Sequence, residues 1–251
     1  MASNPPAQCC AVGIKDSGKP SGTYETIGGY PAYVVKSATT NGKAVLLLPD
    51  VLGHEFPNAQ LIADSFAENG YTTIIPDLFH GDPVKFPSPP GFDFMSWITK
   101  GTDNKGSHLP ERVDPVVEAV IKTIRSELGI TRLAAAGYCF GAKYVVRFLK
   151  PGQIDVGYLA HPSFVQPEEL KAIKGPLSIA AAETDDIFPA PKRHESEVIL
   201  ASHGDKVPYQ INLYSGTAHG FSVRGDTSVP QIAYAKKAAF IQAVQWFQEH
   251  L

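Results

Sequence analysis

The chain predicts an α/β fold with a mostly parallel central sheet and helices on both faces. Three observations predict it. Apolar runs near residues 43–48, 71–76, 132–136, 155–160 and 177–182 alternate with segments of helical period. Most of these runs are nearly unbroken, as strands covered on both faces are. One of them ends directly in Gly137-Tyr138-Cys139-Phe140-Gly141, a strand-to-helix turn with a glycine on each side of a central cysteine.

Taken in order, residues 1–22 are rich in Pro, Gly, Ser and Cys and read as an irregular lead-in. Cys9-Cys10 invites a redox or metal role, but no nearby pair of soft ligands completes a metal site, so packing is the favoured reading. Residues 24–35 suit a hairpin with Gly28-Gly29 at its turn. Residues 43–50 form a buried strand ending in Pro49-Asp50. A helix over 58–69 stops at Gly70 and leads to a strand over 71–76, completing one βαβ unit. Periodicity then collapses over 80–110, which holds prolines 83, 87, 89, 90 and 110. A structureless stretch of that length implies a functional cover or disorder, and Phe92, Phe94, Met95, Trp97 and Ile98 argue for order. The two ordered readings are a lid over a cleft and a loop stapled to the outer surface. Beyond it come a helix over 113–128, the strand 132–136, the turn, and a helix running to Lys150. Strands over 155–160, 177–182 and 207–214 alternate with helices over 167–173, 190–203 and 229–250. Residues 1–251 are therefore expected to form one domain.

The bulk numbers exclude several classes. A net charge of -3, from 22 basic and 25 acidic side chains scattered along the chain, offers no footprint for nucleic acid. No apolar run is long enough to span a bilayer. The N-terminus lacks a basic start and an apolar core, so no secretory signal is expected and the cytosol is the default location. Three cysteines, two adjacent, make no disulfide framework.

Chemistry concentrates at strand ends. At the turn, Cys139 is lifted into a cleft, and the helix beginning at Phe140 aims its N–H groups at the sulfur, favouring thiolate and a developing oxyanion. An acid at Asp185 or Asp186 follows one later strand, with Asp185 preferred, and His219 follows another. Cysteine, acid and histidine in that order match the nucleophile, acid, histidine order of α/β-hydrolases. Among eight histidines, His219 stands out by its position after the last strand. Its task is to accept the thiol proton and later return one. The Val51 and Phe140 N–H groups are the candidate oxyanion donors. Asp50, a carboxylate at a buried strand end, requires a partner. It is a candidate acceptor for the Cys139 thiol, with a turn or helix cap as the alternative.

Gly-Tyr-Cys-Phe-Gly-Ala at 137–142, Pro-Asp-Val-Leu-Gly at 49–53, Pro-Asp-Leu-Phe at 76–79, Asp-Asp-Ile-Phe-Pro at 185–189 and Ala-His-Gly-Phe at 218–221 together resemble the dienelactone hydrolase family. Cys9-Cys10 and Ala-His-Pro-Ser-Phe at 160–164 resemble its fungal branch. The resemblance implies an α/β-hydrolase fold, a Cys139-Asp185-His219 triad and Asp50 as the acid that modulates the thiol, where bacterial members have glutamate. Those members hold a substrate carboxylate with arginines. Here His80-Gly81 follows Pro-Asp-Leu-Phe in place of one arginine, and Arg224 is the candidate for the other, against an exposed loop arginine. Tyr138, His80, Trp97 and Phe94 complete the candidate substrate-binding set.

The expected activity is hydrolysis of a small-molecule ester or lactone through an acyl-cysteine. A thiolate also leaves readily, so the tetrahedral intermediate goes forward when the departing oxygen is a stabilised enolate. Thioester hydrolysis, acyl transfer or C–C bond cleavage on a secondary metabolite is the alternative within enzymes, and a non-catalytic ligand-binding protein the alternative outside them. Neither metal nor organic cofactor is called for, no membrane or nucleic-acid partner is expected, and monomer and homodimer are both open.

Overall fold

Residues along a strand point alternately to opposite faces, so a strand apolar at every position must be covered on both. The computed structural model, which describes residues 2–39 and 41–251, shows this arrangement. Met1, the first residue of the expected lead-in, lies outside the described residues. The strands are β1 (Thr23–Ile27), β2 (Tyr30–Val35), β3 (Lys43–Leu48), β4 (Thr72–Pro76), β5 (Arg132–Tyr138), β6 (Val156–Ala160), β7 (Leu177–Thr184) and β8 (Tyr209–Ala218). They form one sheet in the order β1-β2-β4-β3-β5-β6-β7-β8. The β1–β2 hairpin pairs antiparallel with β4, and β4 through β8 are all parallel. The architecture is that of an α/β-hydrolase, as the sequence predicts.

The alternation is visible residue by residue. Ala44, Leu46 and Leu48 of β3 join one core, while Val45 and Leu47 join the other. In β5, Leu133 and Ala135 face the first, and Ala134, Ala136 and Tyr138 the second. Helices α1 (Pro57–Glu68) and α5 (Pro230–His250) cover the second face through Ala63, Phe66, Ala239 and Phe247. Helices α3 (Pro110–Ser126) and α4 (Phe140–Phe148) cover the first. Proline stands in the first turn of α1, α3 and α5, where its missing N–H costs nothing. None of the helices is long and apolar enough to cross a membrane, among the described residues.

Two segments carry more structure than their periodicity suggests. Within 80–110 a short helix, α2 (Phe94–Lys100), is capped by Asp93, whose side chain accepts from the Ser96 N–H at 2.9 Å. Trp97 anchors it: the indole donates to the Asp82 carbonyl at 2.9 Å, and its ring packs on Phe79, His108 and Phe140. Asp82 meets buried His108 at 3.0 Å and accepts from the Thr102 N–H at 2.8 Å. The lead-in is likewise pinned. Ser3 N–H donates to Val165 O at 3.1 Å, Asn4 N–H to Ile187 O at 2.7 Å and Ile14 N–H to Arg224 O at 2.9 Å, with a 3₁₀ turn at Gln8–Ala11 between them. It therefore crosses the end of the sheet where β6, β7 and β8 terminate.

Candidate active site

β5 meets α4 at Cys139, whose φ of 49° and ψ of -108° lie in a region costly for a residue with a side chain, about 1–3 kcal/mol. The flanking glycines make this turn sterically feasible. A β-carbon on Gly141 would stand 2.0 Å from the Leu48 carbonyl oxygen, and one on Gly137 would stand 2.6 Å from Ala142 Cα. The elbow is tied to both neighbouring strands, Cys139 N–H donating to Ala160 O and Gly141 N–H to Pro49 O, each at 3.1 Å. Among the described residues, the Val51 and Phe140 N–H groups have no protein acceptor.

The acid and the histidine are brought together by strand register. A shift between Ala182 and Thr184 sets Thr184 opposite Ala218, so the next residues, Asp185 and His219, emerge side by side. His219 Nδ1 lies 2.9 and 3.0 Å from the two Asp185 oxygens. Asp185 Oδ1 also accepts from the Ile187 and Phe188 N–H groups at 2.8 and 3.0 Å, which fixes the carboxylate before it meets the ring.

His219 Nε2 points to sulfur, but the sulfur in hydrogen-bond contact is that of Cys10, at 3.4 Å. Cys10 Sγ is in turn 3.2 Å from Cys139 Sγ, which also lies 3.5 Å from Ser163 Oγ. All three donor atoms of Cys10, Cys139 and His219 fall within 4.8 Å of one another, and all three residues are buried. Burial alone raises a thiol's pKa. At Cys139 the hydrogen bond with Cys10 and the charge of His219 overcome it, holding the thiol well below its ordinary range. Burial likewise disfavours a charged His219, yet the Cys139 charge and the Asp185 hydrogen bond raise its pKa to about 10. Cys10, desolvated and beside two other sulfurs, is pushed well above the ordinary range and stays a thiol. Both shifts favour the ionised pair, thiolate and imidazolium.

Asp50 and Arg224 also meet. An Asp50 oxygen accepts from Arg224 Nη1, its other oxygen accepts from the Leu52 N–H at 3.0 Å, and both residues are buried. The hydrogen bond expected between Asp50 and the Cys139 thiol is absent, because Arg224 takes the carboxylate and Cys10 takes the sulfur. Asp50 senses the thiol by charge alone: burial raises its pKa and Arg224 opposes that, leaving about 6. Arg224 Nη2 is buried and has no partner among the described residues. It lines, with His219, Gly220, Phe221, Cys9 and Val12, a cavity of about 440 Å³.

The model of the dienelactone hydrolase family matches residues 30–251. The chain belongs to the dienelactone hydrolase family. Within that family it is 51% identical to hydrolase tropI of Talaromyces stipitatus, over 100% of this chain and 99% of that one. It is 46% identical to hydrolase pyvD of Aspergillus violaceofuscus, with the same coverage. Dienlactone hydrolase 1 of Gibberella moniliformis is 30% identical, over 98% of this chain and 94% of that one. A putative dienelactone hydrolase from Klebsiella pneumoniae superposes with a TM-score of 0.73 at 15% identity, covering 92% of this chain and all of that one, which shows the shared fold.

As a member of this family the chain is a dienelactone hydrolase-like hydrolase, and the structure sorts its expected site residues. Cys139, Asp185 and His219 converge, with Val51 and Phe140 at the turn beside them. Tyr138 faces the opposite core, against Tyr158 and His161. His80 is exposed, its ring against Tyr30. Trp97 and Phe94 are buried in the packing of the 80–110 segment. None of these four lines the cavity beside His219. Sequence reasoning missed Cys10, which it assigned to packing, and His161, buried with its ring 5.0 Å from His219 and its Nε2 2.8 Å from Ser222 Oγ. The doublet near the N-terminus was the only available signal for Cys10, and nothing in its own neighbourhood points to residues 139 and 219.

Proposed function

We propose that this chain hydrolyses an ester or lactone with a stabilised enolate leaving group, through an acyl intermediate on Cys139. The observation that carries the reading is the buried Asp185–His219 pair, with Nδ1 held by carboxylate and Nε2 turned to the sulfurs at the elbow. In this reading the Cys139 sulfur attacks the carbonyl, and the Val51 and Phe140 N–H groups receive the oxyanion, each worth on the order of 10²–10³ in turnover. The leaving enolate takes the proton from His219 Nε2 and departs as the enol, which returns the ring to the neutral form. His219 then draws a proton from water, which attacks the thioester and releases Cys139 and the acid.

Arg224 supports an anionic substrate, since it lines the cavity next to His219 and its buried Nη2 has no partner among the described residues. Cys10 lies where a substrate must come between nucleophile and base, so the 3₁₀ turn at Gln8–Ala11 has to shift for the reaction to begin. The test is a panel of enol esters, lactones and alkyl esters assayed with wild type, Cys139→Ala and Cys139→Ser. Wild type is expected to favour enol leaving groups and Cys139→Ala to be inactive with its fold intact. Undiminished hydrolysis by Cys139→Ala refutes the acyl-cysteine route.

A further inference from the structure

We propose that Cys10, Cys139 and His219 form a binding site for a single soft divalent cation of the zinc type, which clips the N-terminal segment over the elbow. The donor set is two sulfurs and one imidazole nitrogen, the set such ions prefer to oxygen. The spacing suits it. Zinc–sulfur bonds of about 2.3 Å and zinc–nitrogen bonds of about 2.0–2.1 Å, at tetrahedral angles, separate two sulfurs by about 3.8 Å and sulfur from nitrogen by about 3.6 Å. The structure has Cys10 Sγ at 3.2 Å from Cys139 Sγ and 3.4 Å from His219 Nε2. Opening these two contacts by roughly 0.2–0.6 Å, with Cys139 Sγ and His219 Nε2 already within 4.8 Å of each other, accommodates the ion. A disulfide demands the opposite, closure of the sulfurs to about 2.05 Å, from a Cys139 whose backbone is locked between β5 and α4.

The second layer is already in place. Metal-bound histidines commonly donate their other ring N–H to a carboxylate, which fixes the tautomer. His219 Nδ1 stands 2.9 Å from Asp185, which leaves Nε2 to the ion. Cys10 is presented by the fold rather than by a loose tail, since Ser3, Asn4 and Ile14 are hydrogen-bonded on either side of it. Binding displaces the proton on His219 Nε2 and any proton still on the two thiols, and a water completes the fourth position. The site itself does not depend on the proposed hydrolysis. Its consequence does: an ion held by nucleophile and base together stops turnover until it is removed.

The experiment uses the full chain, kept reduced throughout. Zinc is titrated against a chromophoric chelator, and cobalt(II) is added separately as a spectroscopic substitute. One zinc per chain is expected, with a near-ultraviolet sulfur-to-cobalt band and visible bands of tetrahedral intensity. Cys10→Ser and Cys10→Ala should each weaken zinc binding by more than the roughly 10–100-fold that losing an outer partner costs, and shrink the sulfur-to-cobalt band to about half. Cys9→Ser should change neither. A wild-type cobalt spectrum without the sulfur band, or zinc affinity unchanged in both Cys10 variants, overturns the site. Zinc binding without any esterase activity in the metal-free protein leaves the site standing and refutes the hydrolysis instead.

Discussion

Removing one member of the Asp50–Arg224 pair is expected to cost far more than removing both. Each residue is 1% exposed, so neither charge reaches solvent. Even with Arg224 in place, burial raises the Asp50 pKa from 3.8 to about 6. At about 1.4 kcal/mol per unit, the ionised carboxylate is disfavoured by roughly 3 kcal/mol relative to water. Arg224→Met strips away the main cation that opposes this. Breaking a buried pair from one side typically costs about 3–5 kcal/mol, whereas replacing both members by uncharged groups is often close to neutral. Urea unfolding of wild type, Asp50→Asn, Arg224→Met and the double variant at pH 7 measures the difference. Each single variant should lose about 3 kcal/mol or more, and the double variant should return to within about 2 kcal/mol of wild type. A double variant as unstable as the sum of the singles would refute the pairing. The pH dependence has a definite sign. Between 3.8 and about 6 the folded chain holds the Asp50 proton that the unfolded chain has lost. This group's contribution to stability therefore falls as pH rises through that window. The Asp50→Asn variant should lack that component of the slope.

Three further outcomes are expected. Gly141→Ala drives a β-carbon to 2.0 Å from the Leu48 carbonyl and 2.8 Å from that of Pro49, so α4 has to lift from β3. The cost should reach about 3 kcal/mol, against about 1 kcal/mol for Gly152→Ala, which meets only the left-handed backbone penalty; equal urea midpoints for the two would contradict the close approach. Asp185→Asn keeps the hydrogen-bond geometry but presents the wrong tautomer of His219, and enol-ester hydrolysis should fall on the order of 10²–10⁴-fold without loss of fold; unaltered turnover would remove Asp185 from the mechanism. Trp97→Ala deletes the ring against Phe79 and Phe140 and leaves the Asp82 carbonyl unpartnered, costing about 3–5 kcal/mol. Limited proteolysis should then cut first within 80–110, and an unchanged cleavage pattern would show that the indole does not hold that segment.

Much of the sheet was legible because its signals are local. The run Ala44 to Leu48 reads as a strand from its own side chains, and Gly137 and Gly141 announce a close approach of strand and helix wherever the rest of the chain goes. Of the two candidate acids, Asp185 is the carboxylate that meets the His219 ring. The short helix within 80–110 was not legible. Its seven residues lie between a proline-rich run and Gly101, and its stability comes from Trp97 packing on residues of other elements.

By itself the amino-acid order determined the alternating architecture, the strained turn at Cys139 and the candidates for the acid and the base. These follow from backbone preferences and burial periods written in adjacent residues. Only the tertiary structure decided who stands beside whom at the Cys139 sulfur. Asp50 was free to face the thiol or a cation until the chain placed Arg224 against it. Cys10 was an incidental thiol until its segment crossed the sheet end and came between Cys139 and His219. Such contacts span 129 to 209 residues of chain and depend on the path of whole segments, which no local pattern encodes.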